Sequence, residues 1–189
     1  LSWTVNAASL EAAEAELEKG RAAGYDSFNV KVGPPQTPDN DRRHKRKQRE
    51  NSPAGYHRAD ANTGYELATA HDMARALADT GFQALESPLP PNRIRDYQAL
   101  RRYRALPILM DEGIVSPVEA AEFAALGMYD GIAMKVARCG GLWHASRIVQ
   151  VLRDEGLRLF ASGLTDPDLS LAASLHLFGW AGLDLPAAL

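Results

Sequence analysis

Five charged residues recur along the chain at nearly even spacing, each where a short apolar run ends: Lys31, Asp60, Glu86, Asp111 and Lys135. The successive gaps between these positions are 29, 26, 25 and 24 residues. A helix-like run fills most of each gap, so the chain reads as a repeated strand–helix unit, which predicts a parallel sheet. Eight such units need roughly 200 to 250 residues, the usual size of a (β/α)₈ barrel. The chain has 189 residues, and seven strands are legible, with an eighth expected to begin near residues 182–185. The expected fold is therefore an α/β, TIM-type (β/α) barrel, incomplete at its C-terminus, with residues 1–189 as one domain. A doubly wound open sheet competes, but no Gly-rich phosphate turn follows the first strand.

The units are written with ordinary signals. Ser9 is placed to cap the helix LEAAEAELEKGRAAG, which stops at Gly24. LSWTVNA, FNVKV, YHRADAN, FQALESP, LPILMDEG, residues 131–137 and LRLFASG read as strands. Residues 65–80, closed by Gly81, residues 94–104, a run opened by Ser116-Pro117, and residues 142–155 and 169–178 read as helices. The stretch PPQTPDNDRRHKRKQREN is polar throughout and makes a poorly written second barrel helix.

Bulk properties narrow the function. A formal net charge of −3 gives no footing for a nucleic-acid or membrane partner. No apolar run is long enough to span a bilayer, and no secretory signal pattern is present. A single cysteine, Cys139, excludes an internal disulfide and fits a reducing, cytoplasmic compartment. The chain opens Leu-Ser-Trp without an initiator methionine and stops after an apolar stretch, which suggests a part of a longer polypeptide.

Side chains two apart on a strand share a face. Phe28, Val30 and Val32 then face the helices, while Asn29 and Lys31 face the barrel interior. The same parity turns Asp60, Glu86, Asp111 and Lys135 inward near the C-terminal strand ends, where barrel enzymes keep their chemistry. Three clustered carboxylates cannot all ionise in a low-dielectric site without a cation. Hard oxygen ligands of this kind suit Mg²⁺, with Mn²⁺ as the alternative. One lysine then stands on each flank of the metal. That arrangement suits removal of a proton α to a carboxylate. A divalent ion stabilises the resulting enediolate, and neighbouring positive charge makes a lysine a usable base.

The motifs VKVG, DAN, LESP, MDEG and MKVARCGG together resemble the enolase superfamily, in particular the mandelate racemase and muconate lactonizing enzyme group. The resemblance covers the whole chain as that group's C-terminal barrel domain. It implies Asp60, Glu86 and Asp111 as metal ligands, Lys31 as the second lysine of a K-x-K motif and the usual base, and Lys135 as the sixth-strand lysine. It places Asn62 near the substrate and Glu112 in support of Lys135. It implies racemisation or epimerisation, dehydration or cycloisomerisation of a small carboxylate, by an isomerase or lyase that is a homo-oligomer in its complete form. Departures are visible. The first lysine of K-x-K is Asn29, the Gln of E-Q-P is Ser87, and no His-Asp dyad of the mandelate racemase type is present. Asp166 falls where a glutamate is common, and Asp166 or Asp168 is a candidate to meet an ammonium on the substrate. The family's N-terminal α+β capping domain is absent from this sequence.

Other features are read blandly. RRHKRKQR at 42–49 is a solvated helix rather than a nucleic-acid patch, Cys139-Gly140-Gly141 a turn, His176 a packed residue, and Trp3, Trp143 and Trp180 core or interface residues. Two other functions compete: a Schiff-base aldolase-type barrel using Lys31 or Lys135, and a non-catalytic barrel fragment or binding module.

Overall fold

The structure is a computed structural model and describes residues 1–7, 9–33 and 55–189. The second barrel helix and the basic run at 42–49 fall outside the described residues.

Seven strands lie in one parallel sheet in sequential order: β1 (Ser2–Val5), β2 (Ser27–Lys31), β3 (His57–Asp60), β4 (Ala84–Glu86), β5 (Ile108–Met110), β6 (Gly131–Met134) and β7 (Arg158–Ala161). The described helices are α1 (Leu10–Ala22), α2 (Leu67–Asp79), α3 (Ile94–Tyr103), α4 (Pro117–Ala125), α5 (Leu142–Asp154) and α6 (Asp168–Ala181). Sequential parallel order is the winding of a TIM-type barrel, and the sheet is curled accordingly. Its two edge strands meet the same short segment: Ala188 N–H donates to Ala161 O and its carbonyl accepts from Gly163, both at 3.0 Å, while Ser2 N–H donates to Ala187 O at 2.7 Å. Seven strands and this stub make an incomplete TIM-type barrel.

The helices form where their signals are. Ser9 Oγ accepts from Ala12 N–H at 3.2 Å, and Ser116 Oγ accepts from Val118 N–H at 3.1 Å, with Pro117 in the first turn. The helices α2 and α5 bury the same stripe, i, i+3, i+4, i+7: Ala70, Met73, Ala74 and Leu77 on one, Ala145, Ile148, Val149 and Leu152 on the other. These stripes pack on the outward strand residues Phe28, Val30, Ala59, Leu85, Ile108, Met110, Ile132 and Met134. A second, smaller core of Ala84, Leu109, Ala133 and Phe160 fills the barrel interior. The strand parity read from the sequence is therefore that of the structure. Among the described residues, no helix is long and apolar enough to cross a membrane.

Four expectations are corrected. β6 stops at Met134 rather than at 137, because the carbonyls of Lys135 and Val136 accept from Cys139 and Gly141 in a turn. The eighth-strand position is taken by residues 187–188, not 182–185. Helix α6 runs on to Ala181, where Gly182 adopts φ 66° and ends it. His176 is exposed, its Nδ1 2.7 Å from Ala172 O, and Trp143 and Trp180 are also exposed.

Candidate active site

Strand register gathers the charges. Lys31 is paired with Asp60, and Asp60 with Glu86, across β2, β3 and β4. Glu86 is paired with Leu109, and Leu109 with Gly131, so Asp111 and Lys135 follow on the same inward face. All five stand at the C-terminal ends of adjacent strands. Asp60, Glu86 and Asp111 are 1%, 1% and 4% exposed.

Each outer carboxylate carries its own cations. Lys31 Nζ donates to Asp60 Oδ2, and Lys135 Nζ and Arg138 Nη1 donate to the two oxygens of Asp111. Asp60 Oδ1 also accepts the backbone N–H of Asn62 at 2.9 Å. The chain turns there through positive φ at Asn62 and Thr63, with Gly64 N–H closing on Ala61 O at 2.9 Å. Gly33 lies just past the neighbouring strand at φ 108°, a conformation other residues rarely adopt, and an added Cβ there would crowd Ala61 O at 3.1 Å.

Glu86 is held differently. Arg58, two residues before Asp60 on the inward face of β3, brings Nε to 3.3 Å from Glu86 Oε2. The alignment is not that of a hydrogen bond, and Oε2 accepts none among the described residues. Burial pushes the Glu86 carboxyl up to about 7; Arg58 and Lys135 oppose that rise, and the charges of Asp60 and Asp111 add to it. Burial likewise raises Asp111, against the pull of Lys135 and Arg138.

Glu112 accepts from Ser87 Oγ at 2.5 Å and from Asn62 Nδ2 at 3.2 Å. Burial pushes its carboxyl upward, but these hydrogen bonds, one from its own backbone, and the charge of Lys135 outweigh that and hold it below the usual value. Its hydrogen bonds thus go to Ser87 and Asn62, and Lys135 reaches it through charge. Asn29 is buried on the same face as Lys31, and its Oδ1 has no hydrogen-bond partner among the described residues. Asp166 is used locally, accepting from Ser170 Oγ at 2.8 Å and from Leu164 N–H at 3.3 Å. Asp168 opens α6 in its first turn. Neither bonds the five-charge cluster among the described residues.

Arg58, Arg138 and Ser87 contribute to the site although sequence reasoning gave them no role. Arg58 had a signal, its shared parity with Asp60. Arg138 had none, since a turn brings it in, and Ser87 stood out only as the replacement for the Gln of E-Q-P.

Among the described residues, no group of three or more His, Cys, Asp or Glu side chains is drawn together as a metal-binding cluster. The donor set still fits a hard divalent cation. Three buried carboxylates stand at the ends of three adjacent strands, and Glu86 Oε2 takes no hydrogen bond among the described residues.

A parallel barrel with acids and lysines at its C-terminal mouth defines a class of (β/α) barrel sites. The sequence matches the family described as enolase C-terminal domain-like over residues 12–184, and the chain belongs to that family. A hydrophobic dipeptide epimerase of Flavobacteria bacterium (strain MS024-2A) is 32% identical over 127 residues, 67% of this chain and 35% of that enzyme. Muconate cycloisomerase 1 of Rhodococcus opacus is 29% identical over 119 residues, 63% of this chain and 32% of that enzyme. The crystal structure of muconate cycloisomerase from Pseudomonas fluorescens shares the fold, with a TM-score of 0.89 at 24% identity over 97% of this chain and 51% of that chain. The chain thus matches about a third of these curated relatives and about half of the solved structure.

Proposed function

We propose that the polypeptide containing this chain is an enzyme that removes a proton α to the carboxylate of a small acid, using Mg²⁺ or Mn²⁺ held by Asp60, Glu86 and Asp111. The observation that carries the reading is a pair of lysine–carboxylate contacts, Lys31 with Asp60 and Lys135 with Asp111, flanking the buried Glu86 at adjacent strand ends. When bound, the cation supplies positive charge where the substrate carboxylate gains negative charge.

The chain's own groups do the rest. Lys31 and Lys135 approach from opposite flanks of the trio, so one takes the α-proton and the other stands ready to deliver one on the opposite face. Arg138 shares Asp111 with Lys135, so that carboxylate keeps a cation when Lys135 turns to the substrate. Glu112, fixed by Ser87 and Asn62, adds a negative charge beside Lys135. Racemisation or epimerisation uses both lysines, and elimination or cycloisomerisation uses the same first step. Relatives named for dipeptides, N-succinylamino acids and muconate give the substrate set to try first.

The test is incubation of the full polypeptide in D₂O with Mg²⁺ and that set. The reading expects deuterium at the α-carbon, lost in Lys31→Ala and Lys135→Ala. Exchange that persists in both variants, or a borohydride-trapped lysine adduct instead of exchange, refutes it.

A further inference from the structure

We propose that Arg58 is the built-in counter-ion of Glu86: a fixed cation in the barrel interior that lets this carboxylate stay buried whether or not a cation occupies the mouth. The inference rests on the reading of the trio as a divalent-cation centre and assigns a role to a residue outside it.

The three acids are neutralised from two directions. Asp60 and Asp111 are met by lysines at the strand ends, and Lys31 is 29% exposed there. Lys31 therefore has somewhere to go when another cation or a substrate arrives, and Asp111 keeps Arg138 beside the buried Lys135. Glu86 is met from below. Arg58 starts one inward position nearer the N-terminal end of β3 and is 2% exposed. Its strand neighbours in register are Asn29 and Ala84. The guanidinium lies over the Phe160 ring, 5.7 Å from its centroid, and Phe160 in turn packs on Tyr56 at 5.4 Å. The interior core around it is built from small or single large residues, Ala84, Ala133, Leu109 and Phe160. Arg58 is thus enclosed and has no path to solvent comparable to that of Lys31.

The guanidinium is also uncommitted. None of Nε, Nη1 and Nη2 makes a hydrogen bond among the described residues. An arginine used for shape or for hydrogen-bonded scaffolding would spend its fork on carbonyls or carboxylates. Here the close polar contact is with the one carboxylate that has no lysine of its own. Arginine remains charged under all ordinary conditions, so its charge is permanent. A buried carboxylate without a cation is strongly destabilising, because the charge is left uncompensated.

The proposal is tested with the full polypeptide as wild type, Arg58→Met, Glu86→Gln and the double variant, unfolded in urea at pH 8 with and without Mn²⁺. Without Mn²⁺, Arg58→Met is expected to raise the unfolding constant on the order of a hundredfold, and less than tenfold when Glu86→Gln is already present. Mn²⁺ is expected to recover most of the loss in Arg58→Met and to stabilise that variant more than wild type. Equal losses in the two backgrounds overturn the proposal and leave Arg58 as packing. If Arg58→Met does not fold, a folded double variant supports the proposal and an unfolded one overturns it. Coupling present while Mn²⁺ fails to stabilise wild type refutes the metal reading and leaves Arg58 as the counter-ion of Glu86.

Discussion

Replacing Lys135 by Met is expected to destabilise the chain more than replacing Lys31 by Met, although both variants lose α-proton exchange. The asymmetry follows from burial. Lys135 is 8% exposed, and its ammonium bonds an Asp111 carboxylate that is itself buried. Breaking a buried pair typically costs about 3–5 kcal/mol, since the surviving charge is left without its partner. Arg138 remains on Asp111 in the variant, so the expected loss lies at the low end, about 3 kcal/mol. Lys31 is 29% exposed, and Asp60 keeps the backbone N–H of Asn62 after its removal, so about 1–2 kcal/mol is expected there. Urea titration of both variants beside wild type, without divalent cations, gives the comparison. Equal midpoints, or a larger loss for Lys31→Met, refute the assignment of Lys135 as the more deeply embedded partner.

Other outcomes follow from particular contacts. Gly20 lies in α1 where an added Cβ would come within 2.8 Å of both Phe28 and Trp3; Gly20→Val is expected to cost about 1–3 kcal/mol in urea titration, and an unchanged midpoint contradicts that packing. Ser116→Ala removes the acceptor for Val118 N–H and should cost about 1 kcal/mol in the same assay. Cys139 is buried, and burial pushes its thiol up to about 11, so at pH 8 almost none is thiolate and a disulfide reagent should react only after unfolding. Rapid stoichiometric reaction of the native chain contradicts this.

The barrel was legible because two signals agreed. Period-2 parity put Lys31, Asp60, Glu86, Asp111 and Lys135 on one face, and near-equal spacing set them on successive strands. Caps at Ser9 and Ser116 fixed two helix starts as read. What stayed hidden depends on turns and on depth. Ser87 and Asn62, both at positive φ, hydrogen-bond Glu112; a serine rarely adopts that conformation, and no sequence pattern announces it at Ser87. Arg58 shares its parity with Asp60, but parity does not say how far an interior side chain climbs toward the mouth. The end of β6 was overread because Val136 and Ala137 continue the apolar pattern after backbone hydrogen bonding has switched to a turn. Lys31 is tolerated on the barrel interior because it meets Asp60, its register partner on the next strand.

The proposed metal centre places one divalent cation among Asp60, Glu86 and Asp111, between two lysines. Anomalous diffraction from crystals of the full polypeptide grown with Mn²⁺ tests it most directly. A single strong peak is expected within about 2.0–2.3 Å of one oxygen from each carboxylate, with Lys31 and Lys135 on either side of it. No peak at these strand ends, or one bound by other residues, contradicts it.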